Sequence, residues 1–244
     1  MVERPAGRKP ARSANRRSDP GAVARAEGPI TRAVVLDAAL ELIDRDGVDG
    51  LSMRRLAEVV GRDPMVIYRH VANKAAVLDG VAEIVFAQLS VDVTDTDWRG
   101  QLRSIARDFR HLAWAHPRVV SLLVTRPLAT PLGLRAPAVV RPLEDILELL
   151  TRAGFSGADA LHVYRALFGF LYGHVLNEQQ ELVERPEETD EVLRLGLYRL
   201  PLDEFPRVRE LAPVLAGYDG AAELERGLDI LLTGLTATLT DPGR

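Results

Sequence analysis

Leu51 to Lys74 read LSMRRLAEVVGRDPMVIYRHVANK, a helix, a tight turn and a second, short helix. Ser52 is placed to cap the first helix, with Arg54 and Arg55 on the turn that follows. Leu56, Val59 and Val60 recur at helical spacing and form its expected buried face. Gly61-Arg62-Asp63 ends that helix. Glycine suits the turn, Asp63 is a second cap, and Pro64 fits the first helical position, where its missing N–H is not needed. The second helix, Pro64 to His70, spans about two turns at ~3.6 residues each. A supporting helix, a turn and a short leading helix is the arrangement that lays the second helix in the DNA major groove.

A helical hairpin of this outline also occurs as plain scaffold, and two features favour the DNA reading. Tyr68, Arg69, His70 and Lys74 crowd hydrogen-bond donors onto a stretch too short to need them for a core. Upstream, Thr31 to Asp46 carries its own apolar stripe (Val34, Val35, Ala38, Ala39, Leu42, Ile43) and stops at Gly47, so a three-helix unit closes. Side-chain reach then divides the roles. Met65 and Val66 lead the reading helix without hydrogen-bonding capacity and suit thymine methyls or sugar. Arg69 is either a base reader or a phosphate contact, and Tyr68 is alternatively a packing residue with its hydroxyl in solvent.

Composition sets the rest of the frame. The chain has 244 residues, 47% apolar and 5% aromatic, rich in Leu, Ala, Arg and Glu and without a convincing period-2 run, so an all-α fold is expected. Zero cysteines exclude disulfides, thiol catalysis and Cys-ligated zinc or iron–sulfur sites. No apolar run follows the N-terminal arginines as a signal peptide requires, and the longest apolar stretch, near Ala166 to Leu176, falls short of the ~20 residues that span a bilayer. A cytoplasmic protein with no membrane partner is expected. The net charge of −4 is unevenly spread: residues 1–29 hold seven basic against three acidic side chains, residues 30–90 seven against nine, and the remainder seventeen against twenty-three. Near the reading helix the local sign is positive, through Arg54, Arg55, Arg62, Arg69 and Lys74.

Residues 1–29 read as a basic disordered arm, either a solvated tail or a source of phosphate and minor-groove contacts. Residues 30–76 form the expected helix-turn-helix domain and 77–244 a helical effector-binding and dimerisation domain. Within the latter, helices are expected from Lys74 to Leu89, from Trp98 to Ala115 capped by Asp95 or Thr96, over Val119 to Val124, from Leu143 to Arg152 with Gly154 ending it, from Ser156 or Asp159 to Val183, around 192–197 and 205–215, and from Ala221 to Leu239. Four prolines mark Arg126 to Pro142 as loop or broken helix, and the acidic, polar composition of Glu184 to Asp190 marks it as a mobile stretch. Gly169, Gly173, Gly227 and Gly234 would let the two long C-terminal helices approach their neighbours closely.

Ala38-Ala39-Leu40-Glu41-Leu42 with Gly47, then Leu51-Ser52-Met53-Arg54-Arg55-Leu56-Ala57, Gly61 and YRHVANKAAVLDGV from Tyr68 onward, resemble the N-terminal domain of the TetR family of one-component bacterial regulators. The resemblance implies that Arg54 reaches a base, and that Ser52, Tyr68, His70 and Lys74 hold phosphates. It also implies a homodimer closed by a four-helix bundle of the two long C-terminal helices, and a palindromic double-stranded operator released by a small-molecule effector. Thr125-Arg126-Pro127, Gly154-Phe155 and ALFGFLYGHVLNEQQ from Ala166 are more loosely similar to the regulatory domain of the family's tetracycline repressors. The places of their tetracycline and magnesium contacts fall on Ser90, Ile105, Leu122 and Ile146, a set unsuited to a hard cation.

An apolar or amphipathic effector is expected instead, lined by Phe109, Leu112, Leu122, Ile146, Leu150, Leu161, Tyr164 and Phe168. Arg165, His116, His174 and Asn177 are candidate polar anchors, each equally an ordinary core or interface position. His174 and Glu178 stand one turn apart and His111 and His116 flank a helix end, but neither pair makes a zinc or facial-triad pattern, and no phosphate loop or nucleophile elbow occurs. No metal, cofactor or catalytic residue is expected. The reading is a DNA-binding repressor; the alternative is a helical small-molecule-binding protein or enzyme with a vestigial helix-turn-helix, which would leave DNA affinity indifferent to Tyr68 and Lys74.

Overall fold

Runs of Leu, Ala, Arg and Glu fold as helices throughout the computed structural model, which describes residues 29–129, 131–183, 196–215 and 217–239. The arm expected over 1–29, residue 29 apart, and the acidic stretch 184–190 lie outside these residues. The first three helices are α1 (Arg32–Gly50), α2 (Met53–Val60) and α3 (Pro64–Tyr68). They are followed by α4 (Lys74–Phe86), α5 (Trp98–Ala115), α6 (Val120–Ala129), α7 (Pro137–Arg152) and α8 (Gly157–Val183). A helical turn over 196–199 (α9) precedes α10 (Pro206–Glu210), α11 (Ala212–Leu215) and α12 (Gly220–Leu239). No strand occurs among the described residues.

Side-chain caps start most of these helices. Thr31, Ser52, Asp63 and Asn73 each accept a backbone N–H two or three residues on. Three expectations need correction. Asp97, not Asp95 or Thr96, caps α5, through Gly100 N at 3.0 Å. Asp95 is occupied in the turn before it, accepting from Asp97 N and Gln101 Nε2, both at 2.8 Å. The proline-marked stretch is largely helical: α6 runs on to Ala129, and Pro137 begins α7 rather than breaking it, because a proline at the first position forfeits no helical hydrogen bond. The reading helix is shorter than expected and closes at Tyr68, with His70 and Val71 N donating back to Ile67 O.

Packing turns on α4. It touches α1 on one side and α6 and α7 on the other, while α8 gathers α5, α6, α7 and α12 around itself. Val77, Val81 and Val85 of α4 are buried at 0–1% exposure. Gly80 lets α1 in: a Cβ there would stand 2.5 Å from Leu36 Cδ2 and 2.7 Å from Cδ1. Of the four glycines expected at close approaches, Gly227 accommodates the Phe170 ring, whereas a Cβ at Gly169, Gly173 or Gly234 meets nothing within 4 Å in the protomer.

A charged knot ties α5, α8 and α12. Arg110 donates to both carboxylate oxygens of Glu178 at 2.6–3.1 Å, with Glu178 only 2% exposed and crowded against Gly220. His174, 8% exposed, lies 3.7 Å from Glu178 and its Nε2 has no hydrogen-bond partner. Burial pushes the imidazole below its ordinary value; Arg110 pushes the same way, while Glu178, Glu223 and the Gly220 backbone pull it back up. Along the same face, Arg99, Arg103 and Arg107 of α5 reach Thr236, Asp229 and Glu225 of α12.

Two outcomes follow from this packing. Gly80→Ala should lower the melting temperature, since wedging a methyl against buried Leu36 costs about 1–3 kcal/mol, more than the ~1 kcal/mol of helix propensity recovered. Gly169→Ala, with open space around it, should raise it; thermal denaturation of both checks the pair. His174 is neutral when folded and its pKa lies below the unfolded value near 6.5. Stability is therefore full above that value and falls as pH drops below it, where the unfolded chain binds the extra proton. Denaturant titrations should find this slope reduced in His174→Gln.

Candidate nucleic-acid interface and internal cavity

The α2–α3 corner is built by backbone chemistry. Gly61 takes φ +71°, and Arg62 N donates to Ala57 O at 3.0 Å. Leu56, Ala57, Val60 and Ile67 are buried at 0–6% exposure, so α3 is held by one face. Its other face stands clear. Met65 is 69% exposed, Tyr68 is 45% exposed and Arg69 is exposed, at positions i, i+3 and i+4 that share a side of the helix. Val66 and His70 are half-buried at its edges.

Behind this face stand the other predicted contacts. Ser52 Oγ accepts from Arg55 N at 3.2 Å, which leaves its hydroxyl proton to donate outward. Arg54 is held by an exposed ion pair to Glu58 at 3.3 Å, a contact weak enough to exchange for another anion. Arg55, by contrast, is structural: it donates to Asp46 Oδ2 at 2.6 Å and Gly50 O at 2.9 Å. Lys74 Nζ donates to Val48 O at 3.1 Å, so it is aimed by the end of α1, with two further protons to offer.

A cavity of about 330 Å³ opens beside α8. Tyr164, Arg165, Phe168, Gly169 and Tyr172 line one side of it, Arg135, Val139 and Pro142 another, and Phe86 of α4 a third. The aromatic rings are layered. Phe168 lies 4.7 Å from Tyr164 and 5.6 Å from Tyr172, and Phe109 backs them at 6.1 and 5.6 Å while touching Phe86 at 6.3 Å. Burial raises both tyrosines above the ordinary phenol value, so both hydroxyls keep their protons.

Of the predicted effector contacts, Tyr164, Arg165 and Phe168 meet at this cavity. Phe109 stands one layer behind it. Leu112, Leu122, Ile146 and Leu150 are core residues at 0–9% exposure, Leu161 is half-buried and Asn177 exposed, and none of them lines it. His174 belongs to the α5–α8–α12 knot. His116 Nδ1 pairs with Asp44 Oδ2 at 2.7 Å, joining the α5–α6 corner to α1, beside Arg118, which donates to Arg45 O. Sequence reasoning missed Phe86, Arg135, Val139, Pro142, Gly169 and Tyr172. The i, i+4, i+8 series Tyr164, Phe168, Tyr172 was the available signal for the last of these. Among the described residues no group of three His, Asp or Glu is placed to hold a metal, and no helix is long and apolar enough to cross a membrane.

Known proteins match both halves of this arrangement. The description "Bacterial regulatory proteins, tetR family" matches residues 35–81, and "Tetracyclin repressor-like, C-terminal domain" matches residues 92–239. The tetracycline repressor protein class D of Escherichia coli is 32% identical over 218 residues, 86% of this chain and 91% of that one. An HTH-type transcriptional regulator of Saccharopolyspora erythraea is 33% identical over 217 residues, 86% of each chain. The solved structure of the TetR family protein ActR of Streptomyces coelicolor, in complex with actinorhodin, covers 88% of this chain and all of its own, with a TM-score of 0.75 at 26% identity. With a family description over most of its length and relatives this similar end to end, the chain belongs to the TetR family of bacterial regulatory proteins.

Proposed function

We propose that the chain represses transcription as a homodimer, holding two α3 helices against a palindromic operator and releasing them when a small amphipathic molecule fills the cavity beside α8. Residues 30–76 serve as the DNA-binding head and 77–244 as the effector and dimerisation domain. The observation that carries the reading is the double duty of α4. Its first turn bears Lys74, a short loop beyond the reading helix, and its last residue, Phe86, is a wall of the cavity. A ligand that displaces Phe86 therefore acts on the helix that carries the head. The His116–Asp44 pair and Arg118 form a second tie from the effector side to α1.

Two heads are needed because one short helix reads few base pairs, and a two-fold pair multiplies the discrimination. Arg54 is proposed to read guanine, Met65 and Val66 to meet thymine methyls or sugar, and Ser52, Tyr68, His70 and Lys74 to clamp phosphates, with Arg69 at either. The effector must bind the DNA-incompetent arrangement more tightly, since equal affinity for both shifts nothing. ActR bound to actinorhodin supports a ligand-responsive regulator on this fold. The chain acts as a binder, not as an enzyme, and a cytoplasmic location suits its DNA partner.

In vitro selection from random duplex DNA should enrich a palindrome with wild type and lose it with Tyr68→Ala; no enrichment at moderate salt would defeat the reading. On the selected operator, Arg54→Ala should weaken binding by about 1–3 kcal/mol and relax one base position. Lys74→Ala should weaken all sequences alike and reduce the salt dependence by about one counterion. Gly169→Leu, which sends a side chain into the cavity, should leave operator binding intact and abolish release by effector, read by fluorescence anisotropy.

A further inference from the structure

The burial pattern of α3 defines a crest on this short helix. Ile67 is buried at 0% exposure and fixes the direction that faces the core. At about 100° per residue, Met65 and Arg69 each lie within about 20° of the direction opposite to Ile67. Tyr68 and Val66 stand about 80° from that direction, one on either side. Arg69 closes the helix but keeps helical backbone angles, φ −71° and ψ −22°, so the helical spacing extends to it. Exposure agrees with this placement. Met65 is 69% exposed and Arg69 is exposed, whereas Val66 on the flank is half-buried.

A helix laid in the major groove turns its crest to the base edges and its flanks to the sugar–phosphate walls. Met65 fits the crest, because a thioether gains nothing from a hydrated phosphate but covers a thymine methyl. Arg69 shares that crest about 6 Å further along the helix, within two base-pair steps of about 3.4 Å each. The neighbouring cations are otherwise engaged: Arg54 with Glu58, Arg55 with Asp46, Arg62 with Gly61 O and Lys74 with Val48 O. The Arg69 guanidinium makes no hydrogen bond or ion pair with any described residue, so it enters the groove without giving up a contact. Its planar fork of N–H donors matches the paired O6 and N7 acceptors of guanine. Adenine sets an amino donor beside N7 and refuses the second bond.

We propose that Arg69 is a base reader, donating to O6 and N7 of a guanine in each operator half-site. That guanine lies within two base pairs of the thymine covered by Met65 and is separate from the guanine assigned to Arg54. This rests on the reading of α3 as the helix laid in the major groove. Phosphate binding then falls to Tyr68 on the flank and to Ser52 and Lys74 behind it, the last two each held by a hydrogen bond within the protein.

The test uses the full chain and the duplexes it selects from a random library. Wild type should enrich a palindrome with a guanine in each half-site that Arg69→Ala no longer requires and Arg54→Ala still does. On that operator Arg69→Ala should weaken binding about 5- to 150-fold, with a smaller loss on random duplex. Arg69→Lys keeps the charge but not the fork, and should lose the same guanine requirement. Replacing that guanine with 7-deazaguanine, which lacks the N7 acceptor, should weaken wild type about fivefold or more and leave Arg69→Ala unaffected. Because the side chain is exposed, both variants should keep the wild-type melting temperature. If Arg69→Ala enriches the same sequence as wild type, or weakens operator and random duplex alike in a way that lysine restores, Arg69 is a phosphate contact. Either result overturns the proposal and leaves the regulator reading standing. Indifference of the wild type to 7-deazaguanine overturns it as well. If wild type enriches no sequence, the reading of α3 itself fails and the proposal falls with it.

Discussion

The structure depends on the burial of α4 from both sides. A three-helix head of about forty residues has little interior of its own, and domains of that size rarely stand alone without added support. Here the support is α4, which buries Val77, Val81 and Val85 and packs against α1 as well as against α6 and α7. The contact is close because Gly80 removes the side chain that would hold α1 away. One helix therefore completes the core of the head and forms the edge of the larger domain. Nothing can shift it in one without straining the other, because packed interiors move between discrete arrangements and do not deform smoothly.

The coupling proposed for this TetR-family chain rests on that shared helix. The aromatic stack running from Phe86 through Phe109 to Phe168 and Tyr172 links α4, α5 and α8, so the cavity wall is continuous with the core that fixes α4. The polar ties at the α5–α6 corner add a second point of attachment, with Asp44 Oδ1 left buried and unpartnered next to the His116 contact. A partly buried pair with one carboxylate oxygen unmatched is a weak point in that junction. Such a junction favours a two-position mechanism over a rigid one.

The charge distribution has its own logic. Acidic residues predominate beyond residue 90, and several of them are taken up by the arginines of α5, which line the contact with α12. Near α3, Asp46 is drawn into pairs with Arg45 and Arg55, and the Arg45 hydrogen bond holds its carboxyl below the usual range. The acids of the head are thereby partly neutralised, and Arg54 and Arg69 remain toward solvent. A net charge of −4 is compatible with DNA binding for this reason.

Local chemistry was legible from the sequence. Ser52, Asp63 and Asn73 are short-range caps whose partners lie two or three residues away, so the helix-turn-helix and the starts of its helices could be read without any tertiary information. The same holds for Met65, Tyr68 and Arg69, which share a face because of helical spacing alone. The cavity was different. Phe86, Arg135 and Val139 come from separate elements, and no local rule ranks them above Leu112, Leu122, Ile146 or Leu150, which are buried in the core. The prolines of 126–142 misled for a different reason: Pro137 takes the first helical position of α7, where no hydrogen bond is lost. What the sequence determined by itself was helix, turn and reading face, because those depend on neighbours along the chain. Which apolar side chains enclose space and which exclude it was decided by the tertiary structure, because a cavity is set by the distances between helices and not by the residues on any one of them.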